Sequence, residues 1–347
     1  MRGVAALAVL ALHVCKLFNF GYLPRLAHLS VDFFFLLSGF VIATAYEARL
    51  AAGWPLPAFA VRRLVRLYPM VLVGASLGLV TLLLRHFANH DLSYLGIALA
   101  AVPNLALLPS PALLSFRAFG FPLNSPFWSL SAEWMVNLAY AATVRWWRGW
   151  RLAAAILITA AAMVAIAVSH GGLDVGFNWD DYPLAVVRAA FSFLVGVALN
   201  HGFGKLQPAR GAFEVVVVVL GLVLFSPISG GPWLDLLLAM GVFPLMIIAG
   251  ARARTPAWLN RPWTALGELS YPLYAVHYPI VVAFAQISKG RHLQGAAQIG
   301  LAVLCAAVAL TFAQLMLMGF DRPLRARLQV ALAARGRASA VPSPSGV

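Results

Sequence analysis

Charged and imidazole groups are costly inside an apolar helix, so where they interrupt long apolar runs they mark candidate chemistry. Arg2 and His13 stand eleven positions apart in RGVAALAVLALH. That spacing is almost three helical turns, which puts both on one face with roughly 16 Å of rise between them. An imidazole can take up and return a proton near neutral pH, and a planar guanidinium fork suits phosphate. Taken alone, a histidine on an apolar helix is more often a satisfied core residue than a catalyst.

Four further segments carry polar groups of this kind. SVDFFFLLSGF holds Asp32, a carboxylate able to fix the tautomer of a neighbouring imidazole and to favour its imidazolium form, or equally to cap a helix N-terminus. Gly39 in the same segment allows close helix packing. VRRLVRLYP gathers Arg62, Arg63 and Arg66 at spacings of three and four, a cluster fitted to phosphate or to lipid head groups. PFWSLSAEWMVNLAY sets Glu133, Asn137 and Tyr140 at i, i+4 and i+7, and ELSYPLYAVHYP offers a partner stripe of Ser270, Tyr274 and His277. Such stripes either line a cavity or tie helices together.

These groups must be positioned by membrane helices. Of the 347 residues, 62% are hydrophobic and only 10% charged, with a mean hydropathy of +0.86. That is well under half the charge of a soluble domain and excludes one. The apolar segments are Ala-, Leu- and Val-rich and too long for barrel strands, so helices are expected. The formal charge of +14 would suggest nucleic acid in a soluble chain. Here it reads as topology, with basic residues gathered in cytoplasmic loops, and no nucleic-acid partner is expected. Cys15 and Cys305 are too few and too far apart for a disulfide framework or a zinc site, and no metal is expected. The basic start and apolar middle of MRGVAALAVLALHVC imitate a signal peptide, but no small-residue cleavage site follows.

Apolar runs lie near residues 3–20, 29–47, 67–86, 92–109, 129–147, 151–169, 183–200, 213–229, 233–250, 268–287 and 294–319. The fourth contains Pro103, Asn104 and Pro109, which weaken a straight lipid-exposed helix. If it does not cross and the N-terminus is cytoplasmic, 18 of the 25 Lys and Arg residues fall inside; if it crosses, 9 do. The expected fold is therefore an all-α polytopic membrane protein of about ten transmembrane helices around a central pore, without a soluble domain and with both termini cytoplasmic. Asp174, Asp180 and Asp181 then share one outer loop. The membrane domain is expected to occupy residues 1–328. Residues 329–347 would form a cytoplasmic tail, disordered from Arg335 onward, where RGRASAVPSPSGV is rich in Pro, Ser and Gly.

Taken together, these segments resemble the membrane acyltransferase type 3 family, integral-membrane O-acyltransferases of surface glycans and some small molecules. The marks are RGVAALAVLALH, similar to the family's Arg-x10-His; VDFFFLLSGFVI; RRLVRLYP; WSLSAEW; VRAAFSFLVGVALN; SYPLYAVHYP; and FDRPLR. They run along nearly the whole chain in the family's order. The resemblance implies that an acyl group, usually acetyl, passes from cytoplasmic acyl-CoA to an acceptor hydroxyl of a glycan, lipid-linked sugar or small molecule. It maps the family's histidine onto His13, its first arginine onto Arg2 and its arginine pair onto Arg63 and Arg66, with Asp32 and Glu133 at its acidic positions. Two departures stand out: Met1 directly precedes Arg2 where a short polar lead-in is usual, and Asp321 stands where glutamate is common. A stand-alone version in a bacterial inner membrane is expected, with no extracytoplasmic hydrolase-like domain.

Transfer from a thioester to a hydroxyl needs a base, donors for the developing oxyanion and shielding from water. His13 is the expected base, with Asp32 to orient it and Glu133 as the competing choice. Ser129, Asn137, Tyr140, Tyr274 and His277 are expected to line the substrate path. Arg2, Arg62, Arg63 and Arg66 would hold the phosphates of acetyl-CoA or another acyl-CoA, a substrate and not a permanently bound cofactor. A water-lined passage is expected to join them to His13. Membrane lipid, acyl-CoA and a hydroxyl acceptor are the expected partners. The alternative is a proton-coupled transporter or flippase of a polar lipid or solute, with His13, Asp32 and Glu133 as its proton relay.

Overall fold

The computed structural model describes residues 1–89, 93–111, 119–204 and 209–338. Thirteen α-helices make up nearly all of this: α1 (Arg2–Leu17), α2 (Ser30–Ala51), α3 (Leu56–Asn89), α4 (Tyr94–Leu105), α5 (Phe127–Ala142), α6 (Gly149–His170), α7 (Tyr182–Phe203), α8 (Phe213–Leu224), α9 (Pro232–Leu236), α10 (Phe243–Arg252), α11 (Ala257–Gly290), α12 (Gly295–Met316) and α13 (Arg322–Ala338). A π-helical stretch, Leu237–Val242, joins α9 to α10, and another, Leu317–Asp321, joins α12 to α13. Two short strands, Ala209–Ala212 and Ala253–Arg254, pair in parallel. Six described helices or helix pairs are long and apolar enough to cross a bilayer. With the shorter apolar helices α4 and α8 they make a polytopic all-α membrane protein.

Side-chain size decides which helices approach closely. Gly39 of α2 faces the Phe193 carbonyl of α7, and Gly196 of α7 faces the Leu36 carbonyl of α2, each with no room for a Cβ. Without a hydrophobic force between helices in lipid, such small-residue contacts gain packing instead. The expectation for Gly39 is met. In α11 the ring of Pro279 removes the N–H that would bond the Ala275 carbonyl. Asn124 supplies the missing donor, its Nδ2 lying 2.8 Å from Ala275 O.

The path of the doubtful fourth run follows from its neighbours. Arg63, near the start of α3, bonds Glu133 in α5, whereas Gly74 and Gly78, farther along α3, meet Asn124, Phe127 and Leu123 at the start of α5. The two helices are antiparallel, so the chain leaves α3 and enters α5 on the same side. The connection between them returns to its own surface, and α4, 12 residues and about 18 Å long, does not cross. Its turn back is stitched by buried Asn104, whose amide reaches Ser110 Oγ at 2.9 Å and Gly120 O at 3.2 Å.

α13 remains helical to Ala338, so the disorder expected from Arg335 is not met over its first residues. A helix persists there because Ala, Leu and Arg fill most of α13, Pro323 stands in its first turn where proline is tolerated, and no other Pro comes before Pro342. The rest of that tail, 339–347, lies outside the described residues.

Replacing Gly39 with leucine should force α2 from α7 and cost at least about 2 kcal/mol. The expected readout is a lowered Tm of the purified protein in detergent.

Candidate active site

α1 carries Arg2 at one end and His13 about three turns on, and α11 brings His277 against it. His277 Nε2 lies 3.1 Å from His13 Nδ1, and the two rings are 5.1 Å apart. His277 Nδ1 faces two carbonyl oxygens, Tyr274 O at 2.9 Å and Leu273 O at 3.1 Å. Only a protonated Nδ1 satisfies them, which assigns the lone pair of His277 to Nε2. His13 Nδ1 must then carry its proton, shared between His277 Nε2 and Val9 O at 2.9 Å. His13 Nε2 is left as the basic nitrogen, with no hydrogen-bond partner among the described residues. The Tyr278 ring meets His13 edge-on at 5.1 Å.

His13 lines a cavity of about 250 Å³ together with Leu12, Lys16, His28, Trp128, Asp174 and Phe177. Lys16 and Asp174 stand at its mouth, 4.0 Å apart and both more than half exposed. A second cavity, about 80 Å³, lies toward the Arg2 end and is lined by Arg2, Ser38, Arg63, Arg66, Ser129 and Glu133 among others. Three guanidinium groups face one carboxylate there. Glu133 accepts from Arg63 Nη2 at 3.0 Å and from Ser38 Oγ at 2.6 Å. Arg2 and Arg66 have no ion-pair partner among the described residues, so their charge is available to an anion.

Only Val31 and Tyr274 line both cavities. Tyr274 is pinned by its hydroxyl, which lies 2.5 Å from Ser129 Oγ and 3.1 Å from Pro126 O. The continuous passage expected between the arginines and His13 is therefore divided by a side-chain wall.

Several expected roles are corrected. Asp32 does not orient His13; its carboxylate takes a two-point bond from Arg188 of α7, Nη2 to Oδ2 at 2.6 Å and Nε to Oδ1 at 3.3 Å, with both side chains 1% exposed. Arg188 also donates to Val175 O at 2.6 Å and lies over the Trp128 ring. A neighbouring guanidinium satisfies a carboxylate in lipid better than a neutral imidazole does, and Asp32 has one. Glu133 likewise belongs to Arg63 and not to the imidazole. Arg62 turns from the cavity to the face of Trp54, because it stands about 100° around the helix from Arg63. Tyr140 donates to Glu47 at 2.9 Å, in a cluster with His201 and Arg148, and lines neither cavity. Asn137, fully buried one turn beyond Glu133, also lines neither, and its amide has no partner among the described residues. His277 sits behind His13 and not on a cavity wall, whereas Ser129 lines the smaller cavity and Tyr274 lines both. Sequence reasoning missed Arg188, although a charge within the run 183–200 was its signal, and Ser38 as a partner of Glu133.

A protein-family profile described as an acyltransferase domain matches residues 1–318. Among curated proteins, "Protein 2 in picA locus" of Rhizobium radiobacter is 35% identical over 179 residues, 49% of this chain and 91% of that one. "Acyltransferase MdmB" of Streptomyces mycarofaciens is 27% identical over 324 residues, covering 81% of this chain and 77% of its own. "Putative membrane-bound transacylase BcsY" of Komagataeibacter xylinus is 27% identical over 301 residues, covering 81% and 73%. No solved structure matches.

Removing one partner of a buried ion pair leaves the other charge stranded. Asp32→Ala should cost roughly 3–5 kcal/mol, seen as a large fall in Tm, and the double variant Asp32→Leu with Arg188→Met should recover much of it. A Tm unchanged in the single variant would mean that the pair carries no structural weight.

Proposed function

Since the chain belongs to the membrane acyltransferase type 3 family and is an acyltransferase enzyme of the membrane, we propose that it moves an acyl group, acetyl in the simplest case, from acyl-CoA to an acceptor hydroxyl with His13 as base. One observation carries the reading. An imidazole with its basic nitrogen free on one cavity stands across a thin wall from two unpaired guanidinium groups on another.

The donor's phosphates bind Arg2 and Arg66, and Arg63 adds field while paired with Glu133. This end faces the cytoplasm of an inner-membrane protein, consistent with the basic loops around it. The acceptor enters the His13 cavity past Lys16 and Asp174. Trp128, Phe119, Phe177 and Tyr278 offer flat apolar faces there, while Lys16 and Asp174 offer hydrogen bonds. That mixture suits the alternating faces of a sugar or another hydroxylated ring, the acceptor class we assign: a surface glycan, lipid-linked sugar or small molecule.

In the reaction, His13 Nε2 takes the acceptor hydroxyl proton as the oxygen attacks the thioester carbonyl carbon. The C–S bond breaks as the tetrahedral intermediate collapses, and the proton passes from the imidazolium to the departing thiolate of CoA. His277 Nε2 accepts the hydrogen bond from His13 Nδ1–H throughout and so stabilises the imidazolium that forms. It fills the orienting role expected of Asp32. The Ser129 hydroxyl, which meets Tyr274 where the cavities adjoin, is the donor placed for the carbonyl oxygen.

In proteoliposomes given labelled acetyl-CoA, His13→Ala should lower transfer by roughly 10²-fold or more with donor binding kept. Arg2→Ala or Arg66→Ala should instead raise the donor KM about tenfold. Full transfer by His13→Ala would refute the base assignment. Solute movement without release of free CoA would favour transport.

A further inference from the structure

We propose that Tyr274 is a positioning residue that keeps donor and acceptor cavities apart and thereby decides whether the acyl group goes to the acceptor or to water. The proposal rests on the reading of the site given above. Tyr274 borders both cavities and is held from two sides, by Ser129 Oγ and by Pro126 O. Its ring is braced edge-on by Phe34 of α2, 5.9 Å away. Of the two residues common to both cavities it alone is held by hydrogen bonds, since Val31 has only an aliphatic side chain. The wall is therefore one side chain thick and latched by hydroxyl contacts.

The backbone beneath it does not need to move. Ala275, the next residue of α11, is tied through its carbonyl to Asn124 at the start of α5. Gly74 of α3 is pressed against the same carbonyl. With the helix fixed there, passage from the arginine side to His13 requires the phenol to swing on its own side-chain torsions. Ser129 Oγ then keeps Pro126 O at 3.1 Å as its other partner and can turn its proton to a carbonyl that takes the place of the phenol.

Closure matters because the His13 cavity is wet. Lys16 and Asp174 at its mouth are 58% and 60% exposed, so water reaches the imidazole before any acceptor arrives. A thioester resting beside His13 without an acceptor would be hydrolysed: the imidazole takes a proton from water, the hydroxide oxygen bonds the carbonyl carbon, the C–S bond breaks, and the proton passes to the CoA thiolate. With Tyr274 closed, the thioester waits on the arginine side, out of reach of His13 Nε2.

The test measures free CoA released from acetyl-CoA by purified protein in proteoliposomes without acceptor, alongside calorimetric binding of acetyl-CoA. With acetyl-CoA at a concentration that saturates each protein by calorimetry, Tyr274→Ala should release CoA at least fivefold faster than the wild type. Adding His13→Ala should return release to the wild-type level, because the leak runs through the imidazole. Tyr274→Phe, which keeps the ring and loses the latch, should leak in the same direction to a smaller extent and serves if the alanine variant does not fold. Intact binding with no increase in release in either variant would overturn the gate and leave the proposed function standing. No binding of acetyl-CoA by the wild type would overturn the donor reading itself.

Discussion

Lipid offers no hydrogen bonds, so most charged groups buried in this bundle are answered by protein or turned toward a cavity. The Asp32–Arg188 pair shows the rule most plainly. It joins α2 to α7 where glycines already bring their backbones together, reaches the Val175 carbonyl beyond α6 and lies over Trp128 of α5. A charge pair with this many attachments sets the relative positions of α2 and α5, which contribute to both cavities, and of α7, which contributes Arg188 to the larger one. The acidic residue that looked catalytic holds the frame in which catalysis takes place.

The same rule separates roles among the remaining polar groups. Glu133 is answered by Arg63 and Ser38, Glu47 by Tyr140, His201 and Arg148, and Asp235 by His28 and the Leu173 amide. Once these are accounted for, Arg2, Arg66 and the Nε2 atom of His13 are left facing open space. Unanswered charged and imidazole groups that open on a cavity are the ones a substrate can reach as the missing partner.

Much of this was legible in the amino-acid order, and what was not has a physical reason. The helical repeat placed Arg2 and His13 on one face, charge counting kept the fourth apolar run from crossing, and Gly39 was readable as a close contact. Pairings across helices were not readable, because a spacing such as Glu133, Asn137, Tyr140 defines a stripe but not what each turn of the stripe meets. Only Glu133 meets a cavity; Tyr140 meets Glu47 of α2. Arg62 failed for a related reason, since three arginines within five residues cannot all point one way. His277 was seen as polar lining, whereas two backbone carbonyls behind it fix its tautomer and make it the support of His13.

The stretch between α3 and α5 leaves and re-enters at one surface, and it carries Phe119, Ser125 and Pro126 to the His13 cavity. An excursion of that kind can be lengthened, shortened or exchanged without inverting the orientation of anything downstream. The lining of that cavity can thus change by editing one connection, while the arginines and the imidazoles in the helices stay where they are.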